Sequence, residues 1–226
     1  MVDHPGIVVL SSLALKGVLE KFKPAFEQSL AARLDLRFDA TQAILTQRAA
    51  GFNADLLVLT AEAMDELRKS GEVRQVRSLG SSGVGIAVRA GAPRPDVSSV
   101  EALKRALVSA ASVAHSRVGA SGIYFAALLE RLDIKLKQRV VVDKGPVGLV
   151  VAAGGAEIGV QQLCELAPVP GIEIVGPLPD PLQRLTHFAA GIPANAANPK
   201  GASALMELLR SDAARAAMVE GGMQPA

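Results

Sequence analysis

Short apolar runs alternate with amphipathic segments along this chain, and the two patterns carry different periods. "GIVVL" (6–10), "LDLRF" (34–38), "DLLVLT" (55–60), "GVGIAVR" (83–89), "SVAHS" (112–116), "RVVVD" (139–143), "EIGVQ" (157–161), "IEIVG" (172–176) and "LTHFAAGI" (185–192) predict strands. Several are apolar on both alternating faces, which predicts strands covered on both sides, as in parallel sheets. Between them, apolar residues return at helical spacing. Leu15, Val18, Leu19, Phe22 and Phe26 form one stripe, with Pro24 removing a donor inside it and predicting a kink. Further helices are predicted over 41–50, 61–69, 100–107, 122–132, 146–153 and 201–218, and "RLDIKLKQR" (131–139) reads as a solvated helix end. Alternating strand and helix is the signature of an α/β fold with mostly parallel sheets flanked by helices.

Two turn-rich stretches interrupt the alternation: "RAGAPRPDVSS" (89–99) and "LAPVPGIEIVGPLPDPLQ" (166–183). They predict that the chain passes twice between two lobes, residues 1–80 with 187–226 forming one and 81–186 the other. The expected joint is a two-strand hinge near Ser82 and His187, with a cleft between the lobes that closes on ligand.

Composition narrows the function. Half of the 226 residues are hydrophobic and 20% are charged, enough apolar content for a substantial core. The net charge of +2 offers no broad basic field for nucleic acid, and 3% aromatics with no Trp offers no stacking platform or interfacial belt. No apolar run reaches the length of a membrane span, and the N-terminus lacks a signal-peptide pattern. A cytoplasmic location is expected for the sequence as it stands, and a periplasmic one if it is a mature form. The single Cys164, in "QQLCEL", reads as a core thiol, and three scattered His residues give no metal-ligand spacing, so neither metal nor cofactor is expected.

Candidate chemistry gathers at the strand-to-helix turns, where α/β sheets collect ligands. Four turns carry small or hydroxylated residues: "LSSLA" (10–14), "DATQA" (39–43), "SRVGASGIY" (116–124) and "DKGPVG" (143–148). Free N–H groups and the positive dipole end at a helix start suit an anion, at about 0.3–1 kcal/mol per exposed terminus. The same Ser, Thr and Asp residues serve equally well as N-caps, and Ser11 and Ser12 are open to both roles. Neither a dinucleotide fingerprint, a P-loop nor a GxSxG elbow occurs.

The order of "IVVLSSLA" (7–14), "ADLLVLTAEAMDELRKSG" (54–71), "GVGIAVRAGAP" (83–93), "VGASGIYFAALLERLDI" (118–134), "AEIGVQQLCEL" (156–166) and the segment 188–223 resembles the type II periplasmic solute-binding proteins, nearest the molybdate-binding components of ABC transporters. The resemblance implies two α/β lobes, a hinge, and a small anion held by hydroxyls and backbone amides. It places ligand contacts at Thr41, near Ser121 and near Pro146 or Val147; the turns themselves add Ser11, Ser12, Ser116, Ala120 and Gly145 as candidate contacts, with Gln161 and Gln162 beside them. The family's hinge tyrosine is replaced by Gln161 or Gln162, and its first-turn serine falls on Ala14 in an ungapped alignment.

Lys16, Arg117 and Lys144 beside these turns are possible charged contacts, which suit a carboxylate better than an oxyanion held by neutral donors. Some relatives of this fold bind citrate-like acids or isomerise aconitate. The expected function is therefore a monomeric binding protein for a small oxyanion or carboxylate, serving an ABC-transporter membrane component if exported. The alternative is a cytosolic isomerase of an unsaturated polycarboxylic acid, with His115 as its acid–base residue.

Overall fold

The computed structural model describes residues 6–226, so His4 and the start of the expected first lobe lie outside the described residues. Contacts divide the chain into two compact units: unit 1 is assigned Met1–Ser81 and His187–Ala226, described from Gly6 onward, and unit 2 is Ser82–Thr186. The fold is α/β, with sheets flanked by helices.

Unit 1 begins with β1 (Ile7–Ser12), a 3-10 turn at Leu13–Leu15, and α1 (Lys16–Leu30). It continues through β2 (Leu34–Asp39), α2 (Thr41–Ala49), β3 (Leu56–Thr60), α3 (Ala61–Lys69) and the first half of β4 (Val73–Arg89). Strand β1 lies between β2 and β3 and is parallel to both. The residues "LLVL" of β3 are all fully buried because helices cover both faces of the sheet. Leu10, Ile44, Leu57, Leu59, Met64 and Val73 form one core cluster there, and each buried aliphatic side chain contributes about 1.5–3 kcal/mol relative to exposure.

Helix α1 runs through Pro24 without ending. Both Pro24 and Glu20, whose carbonyl loses its partner, are exposed. The carbonyl left without a helical partner thus belongs to a residue open to solvent.

Unit 2 comprises the second half of β4, α4 (Val100–Ser109), β5 (Val113–Ser116), α5 (Ala120–Arg131), β6 (Arg139–Val142), α6 (Val147–Ala152), β7 (Ile158–Gln162), α7 (Leu163–Leu166) and β8 (Ile172–Pro177). Its strand order is β8-β4-β7-β5-β6, with β5 parallel to β6 and β7 and with β4 antiparallel to β7 and β8. Ile86, Leu103, Phe125, Leu128, Val113 and Val160 anchor its core. The chain returns to unit 1 along β9 (Leu185–Pro193), which pairs antiparallel with β3, and ends with α8 (Pro199–Leu208), α9 (Asp212–Glu220) and β10 (Gln224–Pro225).

Three segments differ from the sequence reading. Strand β4 starts at Val73 and not near residue 83: in "VRQVRSLGSS" the apolar residues Val73, Val76 and Leu79 recur every third position and are followed by Gly and Ser, so no strand period shows in the sequence. The single helix expected over 201–218 is two: α8 ends at Leu208, and Ser211 Oγ accepts from the Ala214 N–H at 3.3 Å to start α9. The segment following Arg131 is likewise not helix but a loop leading to β6.

Candidate functional site

Parallel pairing brings the strand-to-helix turns of each unit to one edge of its own sheet. In unit 1 the register sets Ser11 opposite Phe38, Ser12 opposite Asp39 and Ser11 opposite Val58, so β1, β2 and β3 all end at the edge from which α1, α2 and α3 depart. In unit 2 the β5 and β6 registers run together to Ser116 and Val142, and β7 ends beside β5.

At the unit 1 edge both serines are buried. Ser11 Oγ donates to the Ser12 carbonyl at 2.9 Å. Ser12, 3% exposed, precedes the 3-10 turn yet makes no side-chain cap bond, and its Oγ has no hydrogen-bond partner. A buried hydroxyl left unpaired costs about 1–3 kcal/mol, and native structures keep few of them. Capping, the rival role for Ser12, is not what its hydroxyl does here.

Thr41 is the first residue of α2, whose N-cap, Ala40, has no side chain able to cap. The N–H groups of the first helical turn therefore have no intrahelical acceptor. Thr41 Oγ1 accepts from the Thr60 N–H at 3.3 Å, linking the second turn to the end of β3. Asp39 accepts from its neighbour's N–H at Ala40 and from Gln47. Lys16 lies 3.8 Å from Glu20 and 5.8 Å from the Phe38 ring centre.

At the unit 2 edge, Ser116 Oγ accepts from the Gly119 N–H at 2.9 Å, shaping the turn into α5. Gly119, the N-cap of α5, has no side chain, so the first-turn N–H groups at Ala120 and Ser121 remain available. Gly122 is required here: a Cβ at that position would lie 1.9 Å from the Ser116 carbonyl oxygen. Arg117 pairs with Asp143, both well exposed, and Lys144 is exposed.

The fourth turn is organised differently. Gly145 has φ +82°, the left-handed conformation that favours glycine, and leads through Pro146 into α6. The Val147 N–H donates to Gln161 Oε1 at 2.8 Å, so this amide is already satisfied by a side chain of the same unit. Gln161 Nε2 in turn donates to the Glu165 carboxylate.

Gln162 ties both ends of unit 2 together. In the orientation that satisfies every partner, its amide oxygen accepts from the Thr186 hydroxyl at 2.7 Å. Its nitrogen donates to the Ser82 and Gly83 carbonyls at 2.8 and 3.0 Å.

His115 is 2% exposed, and both ring nitrogens are engaged. Nδ1 donates to the Ser116 carbonyl at 2.9 Å and Nε2 accepts from Arg139 Nε at 2.7 Å, which fixes a neutral tautomer. Burial, followed by the nearby Arg139 and Arg117 charges, holds its pKa below the ordinary histidine value. An imidazole so occupied has no free lone pair for a substrate proton.

Two carboxylates stand out that sequence reasoning missed. Asp55, 3% exposed, accepts from the backbone N–H groups of Val8 at 2.9 Å and Asn198 at 2.7 Å, joining β1, β3 and the start of α8 at the amino edge of unit 1. Glu165 lies at the carboxyl edge of unit 2, where burial pushes its carboxyl up to about 7 against the opposing hydrogen bond from Gln161. The spacing of Gln161 and Glu165, one helical turn apart across the end of β7, is the signal that marked the pair. Burial pushes the neighbouring Cys164 thiol up, as expected of an inert core thiol. No group of His, Cys, Asp and Glu among the described residues is arranged to hold a metal ion, and no helix among them is long and apolar enough to cross a membrane.

These features meet known proteins at two levels. An aconitate isomerase from Pseudomonas sp. is 37% identical over 230 residues, spanning 97% of this chain and 87% of that protein. The periplasmic molybdate-binding protein of Azotobacter vinelandii superposes with a TM-score of 0.77 at 16% identity, covering 96% of this chain and 98% of that one. The sulfate-binding protein of Mycobacterium tuberculosis H37Rv does so with a TM-score of 0.74 at 17% identity, covering 99% and 88%. The family model of bacterial extracellular solute-binding proteins matches residues 7–224, and the chain belongs to that family.

Proposed function

We propose that this protein binds a small polycarboxylate anion of the aconitate class. The observation that carries the reading is Ser12 Oγ, a buried donor with no partner in its own chain, at the edge where α2 begins uncapped. A carboxylate oxygen would supply the missing acceptor and gain the dipole end of α2. Unit 2 supports the reading with its own set, the N–H groups at Ala120 and Ser121 at the start of α5.

The choice of a carboxylate over molybdate or sulfate rests on two observations. Gln161 takes the Val147 amide that the family resemblance would give to an oxyanion, and the 37% identical relative is named for aconitate. A thermal-shift panel of cis- and trans-aconitate, citrate, molybdate, tungstate and sulfate tests it. A ligand at 100 times its Kd stabilises by about 2.7 kcal/mol, which for a chain of this size raises Tm by about 5–11 °C. Shifts with the polycarboxylates alone support the reading; shifts with molybdate or sulfate alone refute it.

A second reading, that the bound acid is isomerised, is favoured by the same relative and by the elevated carboxyl of Glu165. Proton NMR of either aconitate isomer incubated with the protein separates binding from turnover. Coupling to a transporter is proposed only for the pure binding reading.

A further inference from the structure

Strand β7 ends at the carboxyl edge of unit 2 in two glutamines and passes directly into α7, which carries Glu165. Gln161 is fixed at both ends: its oxygen accepts from the Val147 N–H at 2.8 Å and its nitrogen donates to the Glu165 carboxylate. The carboxylate is thus aimed by an amide that is itself locked to the start of α6. Because His115 stands opposite Val160 in the parallel register, the next residues along, Ser116 and Gln161, reach the edge side by side. Helix α5 leaves that edge with Ala120 and Ser121 at its start. An anion-suited helix start and an oriented carboxyl therefore share one sheet edge.

Among the described residues no Lys or Arg forms an ion pair with Glu165, and burial sets it apart from the exposed carboxylates. The elements packed on α7 are β7, β8 and α6. Of these, β7 and α6 carry no titratable side chain, β8 carries Glu173, which accepts from the Gly91 N–H, and α7 itself adds Cys164. Surface carboxylates such as Asp35 and Asp65 are tied to Arg37 and Arg68, whereas the side-chain partner of Glu165 is Gln161. A half-buried carboxyl held in this way is free to exchange a proton.

We propose that Glu165 is the residue that removes and returns the substrate proton in the isomerisation of an unsaturated polycarboxylate, with Gln161 as its positioning residue. The inference rests on the second reading of function given above. In the step, the Glu165 carboxylate takes a proton from the methylene carbon beside a substrate carboxylate. The released C–H pair forms a new double bond to the central carbon, and the pair of the original double bond moves to the far carbon. That carbon takes the proton back from the Glu165 carboxylic acid. One proton leaves one carbon and reaches another, no electrons are gained or lost, and no co-reactant is consumed. A carboxyl titrating near 7 is present in both forms at neutral pH, as a residue that first accepts and then donates requires.

The test is trans-aconitate with the intact protein in D2O, followed by proton NMR for loss of the methylene signal and appearance of the cis isomer, with affinity measured separately by calorimetry. Wild type should show both changes, with a rate that rises with pH through a midpoint near 7. Glu165→Gln should lose about 10²–10⁴-fold in both rates while binding trans-aconitate within a few-fold of wild type. Glu165→Asp should keep a measurable rate at a shifted midpoint, and Gln161→Ala should move the midpoint and lower kcat more than it raises KM. Exchange in Glu165→Gln within tenfold of wild type would overturn the assignment. Wild type that binds trans-aconitate but neither exchanges nor isomerises it would also overturn the assignment, while leaving the binding reading intact. Absence of any polycarboxylate binding would remove both.

Discussion

Replacing Ser12 with Ala should separate ligand binding from stability. The substitution removes one buried oxygen that makes no hydrogen bond and leaves the Cβ in place, so the cavity is smaller than a methyl group. Without ligand, the chain is relieved of an unsatisfied polar group, and its stability should stay constant or rise by up to about 1–3 kcal/mol. With ligand, the variant lacks a hydrogen bond to a charged acceptor, a loss of about 1.5–3 kcal/mol. At about 1.4 kcal/mol per decade that corresponds to roughly a 10- to 150-fold rise in Kd. Urea denaturation without ligand and calorimetric titration with trans-aconitate measure the two effects on the same preparations. A variant destabilised by 1 kcal/mol or more with an unchanged Kd would refute the reasoning, since the hydroxyl would then be structural.

Further outcomes follow from particular residues. Asp55→Ala removes the buried carboxylate that accepts from the half-buried Val8 and Asn198 N–H groups and should lower unfolding stability by about 1–3 kcal/mol in urea, with ligand affinity little changed. Gly122→Ala forces a Cβ against the Ser116 carbonyl and should destabilise unit 2 by more than 2 kcal/mol while weakening ligand binding, both read from denaturation and titration. His115, with a folded pKa below its unfolded value of 6.5, contributes stability that is complete above that pH and is lost as pH falls toward the folded value. His115→Gln should flatten that part of a stability-against-pH curve. Glu165 has the opposite sign: its folded pKa of about 7 lies above the unfolded 4.5, so its contribution is complete below about 4.5 and lost as pH rises through 7. Glu165→Gln should therefore gain in stability relative to wild type as pH rises from about 4.5 to 7, with the difference level above that.

The alternation of strands and helices was legible because buried parallel strands read as continuous apolar runs, as "LLVL" of β3 does. The four turns were legible too, because small and hydroxylated residues stand just ahead of helical periodicity. What each turn does was not. Ser12 and Ser116 look alike in the sequence, yet Ser116 closes its turn onto Gly119 while Ser12 is left without a partner. That difference lies in backbone geometry, not in residue type. The first half of β4 was hidden because its apolar residues, Val73, Val76 and Leu79, recur every third position instead of alternating, and Glu165 was hidden by the apolar residues that flank it in "QQLCEL". His115 illustrates the same limit from the other side. Its position at the end of β5 is visible in the sequence, but the bonds that occupy both its nitrogens come from Arg139, 24 residues away, and from its own backbone neighbour.

Calorimetric titration of the purified protein with trans-aconitate, with molybdate as the comparison anion under identical conditions, tests the central claim most directly. The account predicts saturable one-site binding of trans-aconitate and no measurable heat from molybdate. Saturable molybdate binding with none for trans-aconitate would contradict it.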